Sequence, residues 1–470
     1  MTATKLSKEY VKKLKTQGED AIKDALHPSQ DSRVLTYVLH NLGRLPSNFN
    51  GTCFLPLIKH KHKNIRLLAV KNIGKLADVE FLDEMLAVVK NDDSTDVKRE
   101  AVSSVGRMRN EKTIPALINI LNNNDPKIVL QAIRALMIFR DSKEARHSVL
   151  QLKTHPNEII QAVIEKEFSK TESLDRNKPK HPESPDYLIN TVVHGNVLEI
   201  LKSVPDESIH LTFTSPPYYN SRDYSTYQSY DEYLELLREV FQAVHRITKD
   251  GRFFVLNTSP IIIPRVSRQH SSKRYPIPFD IHPYLLDMGW EFIDDIIWLK
   301  PETSVKNRNA GFLQHRKPLA YKPNSTTEYI MVYRKQTHKL LDWNISQYDS
   351  QIVNSSKVLG KYETSNVWRI APTTDKTHSA VFPAELCNRI IEFYSYELDL
   401  VFDPFAGAGT FGKSANNLSR YYFLTEIAKL YFDRIKEVLT QSKSFSPNVN
   451  QSFLTDAEFK KNAKRFEHGG

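Results

Sequence analysis

Thr214-Ser215-Pro216-Pro217-Tyr218 is the stretch of this 470-residue chain best equipped for chemistry. It follows an apolar run, Ile209-His210-Leu211-Thr212-Phe213, that reads as a strand. In open α/β sheets, ligands sit outside the carboxyl ends of strands. Consecutive prolines fix φ and leave their carbonyls without a competing local N–H, so they act as rigidly aimed acceptors. A small hydroxyl and an aromatic ring flank them. The set suits a planar base with an amino group, held by acceptors and stacked on a ring. The plainer reading of the same residues is a Pro-rich turn between a strand and a helix.

A second stretch, Asp403-Pro404-Phe405-Ala406-Gly407-Ala408-Gly409-Thr410, lies between the strand-like run Leu398 to Phe402 and a predicted helix. Its glycines permit a tight turn and a close approach of backbone to ligand. The run Tyr421 to Thr425 then ends on Glu426, where dinucleotide folds place the carboxylate that binds ribose hydroxyls. Gly407 to Ser414 also fits the phosphate-loop pattern G-x-x-x-x-G-K-S. A nucleotide hydrolase needs further strands and a magnesium-binding aspartate beyond that loop. Only 56 residues follow Ser414, and Asp-Pro-Phe-Ala separates strand from first glycine, so that reading is set aside.

The elements that must position these residues fall into two groups. In the first third, Val38, Ala69, Ala101, Ala132 and Ala162 recur within similar helical strings at spacings of 31, 32, 31 and 30. A period near 31 with two helices per unit predicts an α-solenoid, similar to short HEAT repeats, over about 15–168 within an all-α region 1–168. Residues 169–187 are polar and Pro-rich, a linker. From 188 to 445, strand-like runs (189–193, 209–214, 252–257, 293–299, 328–333, 398–402, 421–425) alternate with helical ones (231–247, 383–396, 411–418, 427–440). That alternation predicts a doubly wound, Rossmann-like α/β sheet. Residues 446–470 read as a polar C-terminal tail.

Composition bounds the rest. With 40% hydrophobic and 26% charged residues the chain is globular. No apolar run approaches a membrane span, and the N-terminus lacks a secretion signal. Cys53 and Cys387 can build neither a disulfide framework nor a four-thiolate metal site. A cytoplasmic protein without a structural metal is expected. The net charge of +10 hints at a polyanionic partner, nucleic acid first.

The ordered set of motifs over about 190–440 resembles the amino-methyltransferases of DNA, the bacterial modification methylases. Trp298-Leu299-Lys300-Pro301 and Thr327 to Lys335 look like that family's later strands, and His378 to Leu386 like its cofactor-pocket segment. The catalytic motif precedes the glycine motif, as in the family's β-type order. The resemblance implies S-adenosylmethionine as cofactor, held by Asn196, Thr214, His378, Phe382, Pro383, Asp403, Pro404, Phe405, Gly407, Gly409, Thr410 and Glu426. Two positions depart from the family pattern: Gly195-Asn196 stands for Gly-Asp, and Ser379 for proline.

By the same resemblance, Ser215, Pro216, Pro217 and Tyr218 are catalytic. Acceptors at Ser215 and the Pro216 carbonyl hold the amino hydrogens, and Tyr218 stacks on a base flipped out of the duplex. Ser-Pro-Pro-Tyr leans towards N4 of cytosine, Asp-Pro-Pro-Tyr towards N6 of adenine, so a cytosine-N4 enzyme of a restriction-modification or related defence system is expected. The alternatives are an N6-adenine enzyme, an RNA amino-methyltransferase, or a solenoid scaffold with an inactive methylase domain. Carbon-5 methylation needs an activated cysteine, which neither Cys53 nor Cys387 offers by its sequence context. Double-stranded DNA is the expected partner, gripped by basic loops that include Arg265, Arg268, Lys273, Arg274, Lys306, Arg308, Arg316 and Lys317. The solenoid, with its Lys59-His60-Lys61-His62-Lys63 run, is expected to extend the DNA grip or to dock a restriction or defence partner.

Overall fold

The computed structural model describes residues 6–46, 49–168, 181–219, 227–263, 273–304, 325–337, 339–360, 362–373, 381–442, 445–446 and 449–467. The chain divides into two compact units, Met1–Arg176 and Asn177–Gly470.

In the first unit ten α-helices follow one another among the described residues: α1 (Lys8–Gln17), α2 (Glu19–Ala25), α3 (Ser32–Asn41), α4 (Lys63–Leu76), α5 (Leu82–Asn91), α6 (Thr95–Arg107), α7 (Ile114–Ile120), α8 (Pro126–Leu136), α9 (Lys143–Leu150) and α10 (Glu158–Phe168). Small residues at the repeat position let the inner helices stack. Val38, Ala69, Ala101 and Ala132 are fully buried. A Cβ at Gly106 would come within 2.7 Å of Ala135 Cβ, so glycine there sets the approach of α6 to α8. Polar side chains bridge successive inner helices: Asn72 Nδ2 donates to Leu39 O at 2.9 Å, and Ser104 Oγ to Val70 O at 3.2 Å. Asp125 caps α8 by accepting from Lys127 N–H. The periodicity fails once. Ala162 is exposed, and α10 instead buries Ile160 and Ile164, because an apolar i, i+4 pair outweighs a lone alanine.

The second unit holds eleven strands among the described residues: β1 (Thr191–His194), β2 (Ile209–Thr214), β3 (Thr248–Thr258), β4 (Ile261–Ile263), β5 (Lys273–Tyr275), β6 (Trp290–Leu299), β7 (Thr327–Lys335), β8 (Val367–Arg369), β9 (Leu400–Asp403), β10 (Tyr421–Glu426) and β11 (Ser452–Thr455). Nine form one sheet in the order β11-β1-β10-β9-β2-β3-β7-β6-β8, and β4 pairs with β5 separately. The sheet is mixed, since β7 runs antiparallel to both β3 and β6. Helix Tyr230–Ile247 buries one face of the sheet through Tyr233, Leu237, Phe241 and Val244. Helices Ala384–Tyr394 and Thr410–Asn417 cover the other through Leu386, Ile390, Phe411 and Ala415. This is the doubly wound α/β architecture, preceded by helical repeats.

β4, β5 and β8 have no counterpart in the sequence reading, and other stretches differ from it as well. The expected polar tail, 446–470, contains β11, which pairs in parallel with β1, and a helix, Asp456–Glu467, whose Phe459 is fully buried against Phe423. Its apolar residues are too few and too widely spaced to mark a strand and helix by periodicity. β3 begins at Thr248 rather than Arg252, because buried Lys249 finds an acceptor in Pro182 O and Thr248 Oγ1 one in Val244 O.

Candidate active site

The chain leaves β9 towards β10 on one side and leaves β2 towards β3 on the other, so the crevice between β9 and β2 is the topological switch point of the sheet. Thr214 and Asp403 meet there. Thr214 Oγ1 donates to Asp403 Oδ1 at 2.7 Å, and the same oxygen accepts from Phe405 N at 3.0 Å. Both side chains are buried, so the pair ties the loop after β2 to the glycine turn. Burial pushes the Asp403 carboxyl up to about 7, with Glu426 adding to the rise, although the Thr214 and Phe405 hydrogen bonds oppose it.

That shift has a stability consequence. Free in the unfolded chain, the carboxyl titrates near 3.8. The folded form therefore keeps a proton that the unfolded chain releases between about pH 4 and 7, and stability linked to it is full below that window and lost as pH rises through it. Wild type is expected to lose melting temperature across that window relative to Asp403→Asn. Parallel pH profiles of the two in thermal unfolding would contradict this.

Beyond Thr214, the loop is backed by groups from three other strands or their ends. Asn257 Nδ2, from β3, donates to Ser215 Oγ at 3.4 Å and to Glu328 Oε2 at 2.7 Å. Tyr218 Oη donates to the same Glu328 oxygen at 3.3 Å, while Lys300 Nζ donates to Glu328 Oε1. Glu328 reaches this edge because β7 is antiparallel: its first residues lie level with the last of β3 and β6, as in the pairs Thr258–Tyr329 and Trp298–Glu328. Burial, with help from Glu328, holds the Tyr218 phenol well above its usual range, so it stays neutral. The next residue, Tyr219, packs edge-on to Tyr275 of β5 at 5.2 Å. The exposed cations Lys273 and Arg274 on that strand are thereby placed beside the loop after β2.

The glycine turn lies one strand over. Gly407 and Gly409 both take positive φ, +52° and +76°, and Gly409 caps the helix Thr410–Asn417. At the tip of β10, Glu426 Oε2 accepts from Gly407 N at 2.9 Å and Oε1 from Ala428 N at 2.8 Å. Its backbone carbonyl accepts from Gly195 N at 3.0 Å. One residue thus gathers the loops after β1, β9 and β10. Burial raises the Glu426 carboxyl above its ordinary range. Pro404 contributes its carbonyl to Thr425 Oγ1 at 2.8 Å. Phe382 stacks on Phe213 with ring centroids 4.6 Å apart, and Pro383 caps the helix Ala384–Tyr394. Asn196 spends its side chain capping the helix Val197–Leu201.

The residues 209–437 match the profile of the N6/N4 methyltransferases, described as DNA methylase, and residues 82–166 match HEAT repeats. The type II methyltransferase M.ScaI of Streptomyces caespitosus is 30% identical over 253 residues, which span 51% of this chain and 78% of that protein. The chain belongs to the DNA methylase family. The type II methyltransferase M.BglII of Bacillus subtilis is 27% identical to this methylase over 292 residues, 60% of this chain and 77% of that one. A putative DNA modification methylase of Thermus thermophilus, solved in complex with S-adenosyl-L-methionine, has 25% identity and a TM-score of 0.42, covering 53% of this chain and 93% of its own.

Seven residues expected at the methylase's site lie outside the described residues: His378, Arg265, Arg268, Lys306, Arg308, Arg316 and Lys317. Three that the sequence reading did not single out, Asn257, Lys300 and Glu328, form the polar backing of the Ser-Pro-Pro-Tyr loop. Glu328 and Lys300 stood in strings recognised only as strands; a charged residue at a strand tip was the available signal. Burial pushes the thiols of Cys53, to about 11, and of Cys387 upward. Neither is a ready thiolate nucleophile. No helix among the described residues is long and apolar enough to cross a membrane, and no metal-binding cluster occurs among them.

Proposed function

We propose that this methylase transfers a methyl group from S-adenosylmethionine to the exocyclic N4 of cytosine in double-stranded DNA, as part of a restriction-modification or related defence system. The residues present suit that cofactor: a carboxylate at a strand tip, Glu426, offers acceptors for a ribose diol, beside a turn kept open by Gly407 and Gly409. Asp403 and Thr214, bonded to each other, hold that turn in place; Pro404, Phe405 and Thr410 belong to the same stretch, and cofactor contacts of Phe382, Pro383 and Asn196 rest on the family resemblance. S-adenosylmethionine, when bound, supplies an electrophilic methyl.

The amino nitrogen of cytosine is a poor nucleophile because its lone pair is delocalised into the ring. Ser215 Oγ and the Pro216 carbonyl hold its hydrogens, so that the nitrogen becomes more tetrahedral and its lone pair is directed at the methyl. Pro217 fixes the loop, and neutral Tyr218 faces the flipped base. This is positioning and electrostatic work, without a covalent intermediate. The observation that carries the reading is the contact of Asn257 Nδ2 with Ser215 Oγ. That donor holds the hydroxyl at the start of the loop; the choice of cytosine rests on the serine of Ser-Pro-Pro-Tyr, since cytosine and adenine both present a ring-nitrogen acceptor beside the amine.

The test is to methylate duplex DNA with the full chain and digest the product to nucleosides. N4-methyl-2′-deoxycytidine is expected; N6-methyl-2′-deoxyadenosine alone would overturn the choice of base, and activity on RNA only would overturn the choice of substrate.

A further inference from the structure

The chain's positive charge is not spread over it. Residues 1–76, up to the end of α4, hold fourteen Lys and Arg against five Asp and Glu, a net +9 of the total +10. The rest of the first unit, 77–176, holds fifteen against seventeen and is slightly acidic. A solenoid needs no such polarity to fold, since its stability comes from the apolar faces that its repeats bury on one another. Charge concentrated on the first repeats therefore asks for an external explanation.

The structure supplies a place. Helices α1, α3 and the start of α4 enclose an open groove of about 890 Å³. Lys8, Arg33, Tyr37, His40, His62 and Lys63 line it, and no carboxylate is among the lining residues. Lys63 is paired with Asp96 at 2.5 Å. Lys8 and Arg33 are exposed and make no ion pair within the described residues. Just outside, Lys59 and Lys61 are exposed as well. On α4, burial first and then Lys71, Arg107 and Lys15 lower the pKa of Lys75, while Glu100, which pairs with Arg107, opposes them; Lys71 and Lys15 belong to the same first repeats. Like charges held together in this way cost stability unless an anion relieves them.

We infer that this groove is a second nucleic-acid contact, one that binds the sugar-phosphate backbone of duplex DNA independently of sequence. The choice of DNA among polyanions rests on the function proposed above; the groove itself rests only on its charge and shape. Its cations sit on separate helices, a spread that matches successive phosphates better than one small anion. Tyr37 and the amide groups of Asn41 and Asn64 add neutral partners for phosphate oxygens.

Each phosphate neutralised by a protein cation changes the slope of log affinity against log salt by about 0.9. The experiment compares the full chain with its Lys8→Gln, Arg33→Gln double variant, measuring affinity for a duplex of about 40 base pairs from low to moderate salt. The slope is expected to fall in magnitude by about 1.8, and the double variant Lys8→Arg, Arg33→Lys to restore it. Thermal unfolding checks that both variants fold; both sites are exposed. An unchanged slope overturns the inference and is also the result expected if the groove serves an acidic protein. A reduced slope in a chain that does not methylate DNA would leave the groove standing and remove the proposed activity, whereas methylation with an unchanged slope would do the reverse.

Discussion

Glu328→Gln is expected to lower kcat for methyl transfer by about 10²-fold, while KM for DNA and for the cofactor moves little. Glu328 is a positioning residue: it takes Asn257 Nδ2 and Tyr218 Oη on one oxygen and Lys300 Nζ on the other. The carboxylate thus fixes the amide that in turn contacts Ser215 Oγ. Glutamine keeps the shape, but with its oxygen turned to the Lys300 ammonium its N–H₂ faces the Asn257 amide and the Tyr218 hydroxyl, which lose their acceptor. If Ser215 acts as proposed, a displacement of its hydroxyl by a fraction of an ångström touches the reaction more than binding, which is why the loss belongs in kcat. Stability will fall too, since Lys300 is left with no counter-charge in a site where the two side chains are 18% and 15% exposed. The double variant Lys300→Met, Glu328→Gln separates the two effects, because it removes the stranded cation. It is expected to recover the melting temperature but not kcat. Wild-type kcat in Glu328→Gln, or recovery of kcat along with stability in the double variant, would show Glu328 to be structural only.

That constellation also marks where the sequence stopped being legible. Ser215 to Tyr218 are consecutive, and so are Asp403 to Thr410, so a local string displays nearly all of each cluster. Strand positions followed from apolar runs, and β2 and β10 begin where the pattern places them. Glu328, however, is 110 residues from Tyr218 and 71 from Asn257. It joins them only because β7 runs against its neighbours, and strand direction leaves no trace in hydrophobic periodicity, which is the same read either way. A parallel β7 would have sent Glu328 to the far edge of the sheet. The same limit explains Asn196 and Thr214. Their types suit ligand contact, and each has a further task in the structure, one capping a helix and the other bonding Asp403, set by three-dimensional neighbours. The edge strand β11 was missed for a different reason: it lies beside β1 by a long-range pairing and carries only Phe453 and Leu454 as apolar residues.

Glu426 is the residue whose loss is expected to weaken cofactor binding most. Three loops converge on it, and its two carboxylate oxygens already satisfy the N–H groups of Gly407 and Ala428. Each oxygen has a further lone pair, and these are what a ribose diol needs. Hydrogen bonds to a charged acceptor contribute about 1.5–3 kcal/mol each. Losing both in Glu426→Ala is expected to raise the Kd for S-adenosylmethionine at least about 10²-fold, measured by calorimetry without DNA. The alanine variant also strands two amide N–H groups and will unfold more easily, so Glu426→Gln is the more informative change. It keeps one acceptor oxygen and nearly the same volume, and is expected to fold while binding the cofactor about tenfold more weakly. The pH dependence gives an independent check. Burial raises the Glu426 carboxyl, so it takes up a proton at a higher pH than an exposed glutamate would. A diol donates to the ionised form, so cofactor affinity should decline on acidification earlier than for an ordinary carboxylate, and the Gln variant should lack that decline. Asp403 titrates nearby, and because its charge is coupled to Glu426 it can mimic the effect. Asp403→Asn resolves the two: if the acid-side loss of affinity persists in Asp403→Asn and vanishes in Glu426→Gln, the carboxylate at the tip of β10 is the cofactor's partner. Should the loss vanish only in Asp403→Asn, the assignment of Glu426 fails.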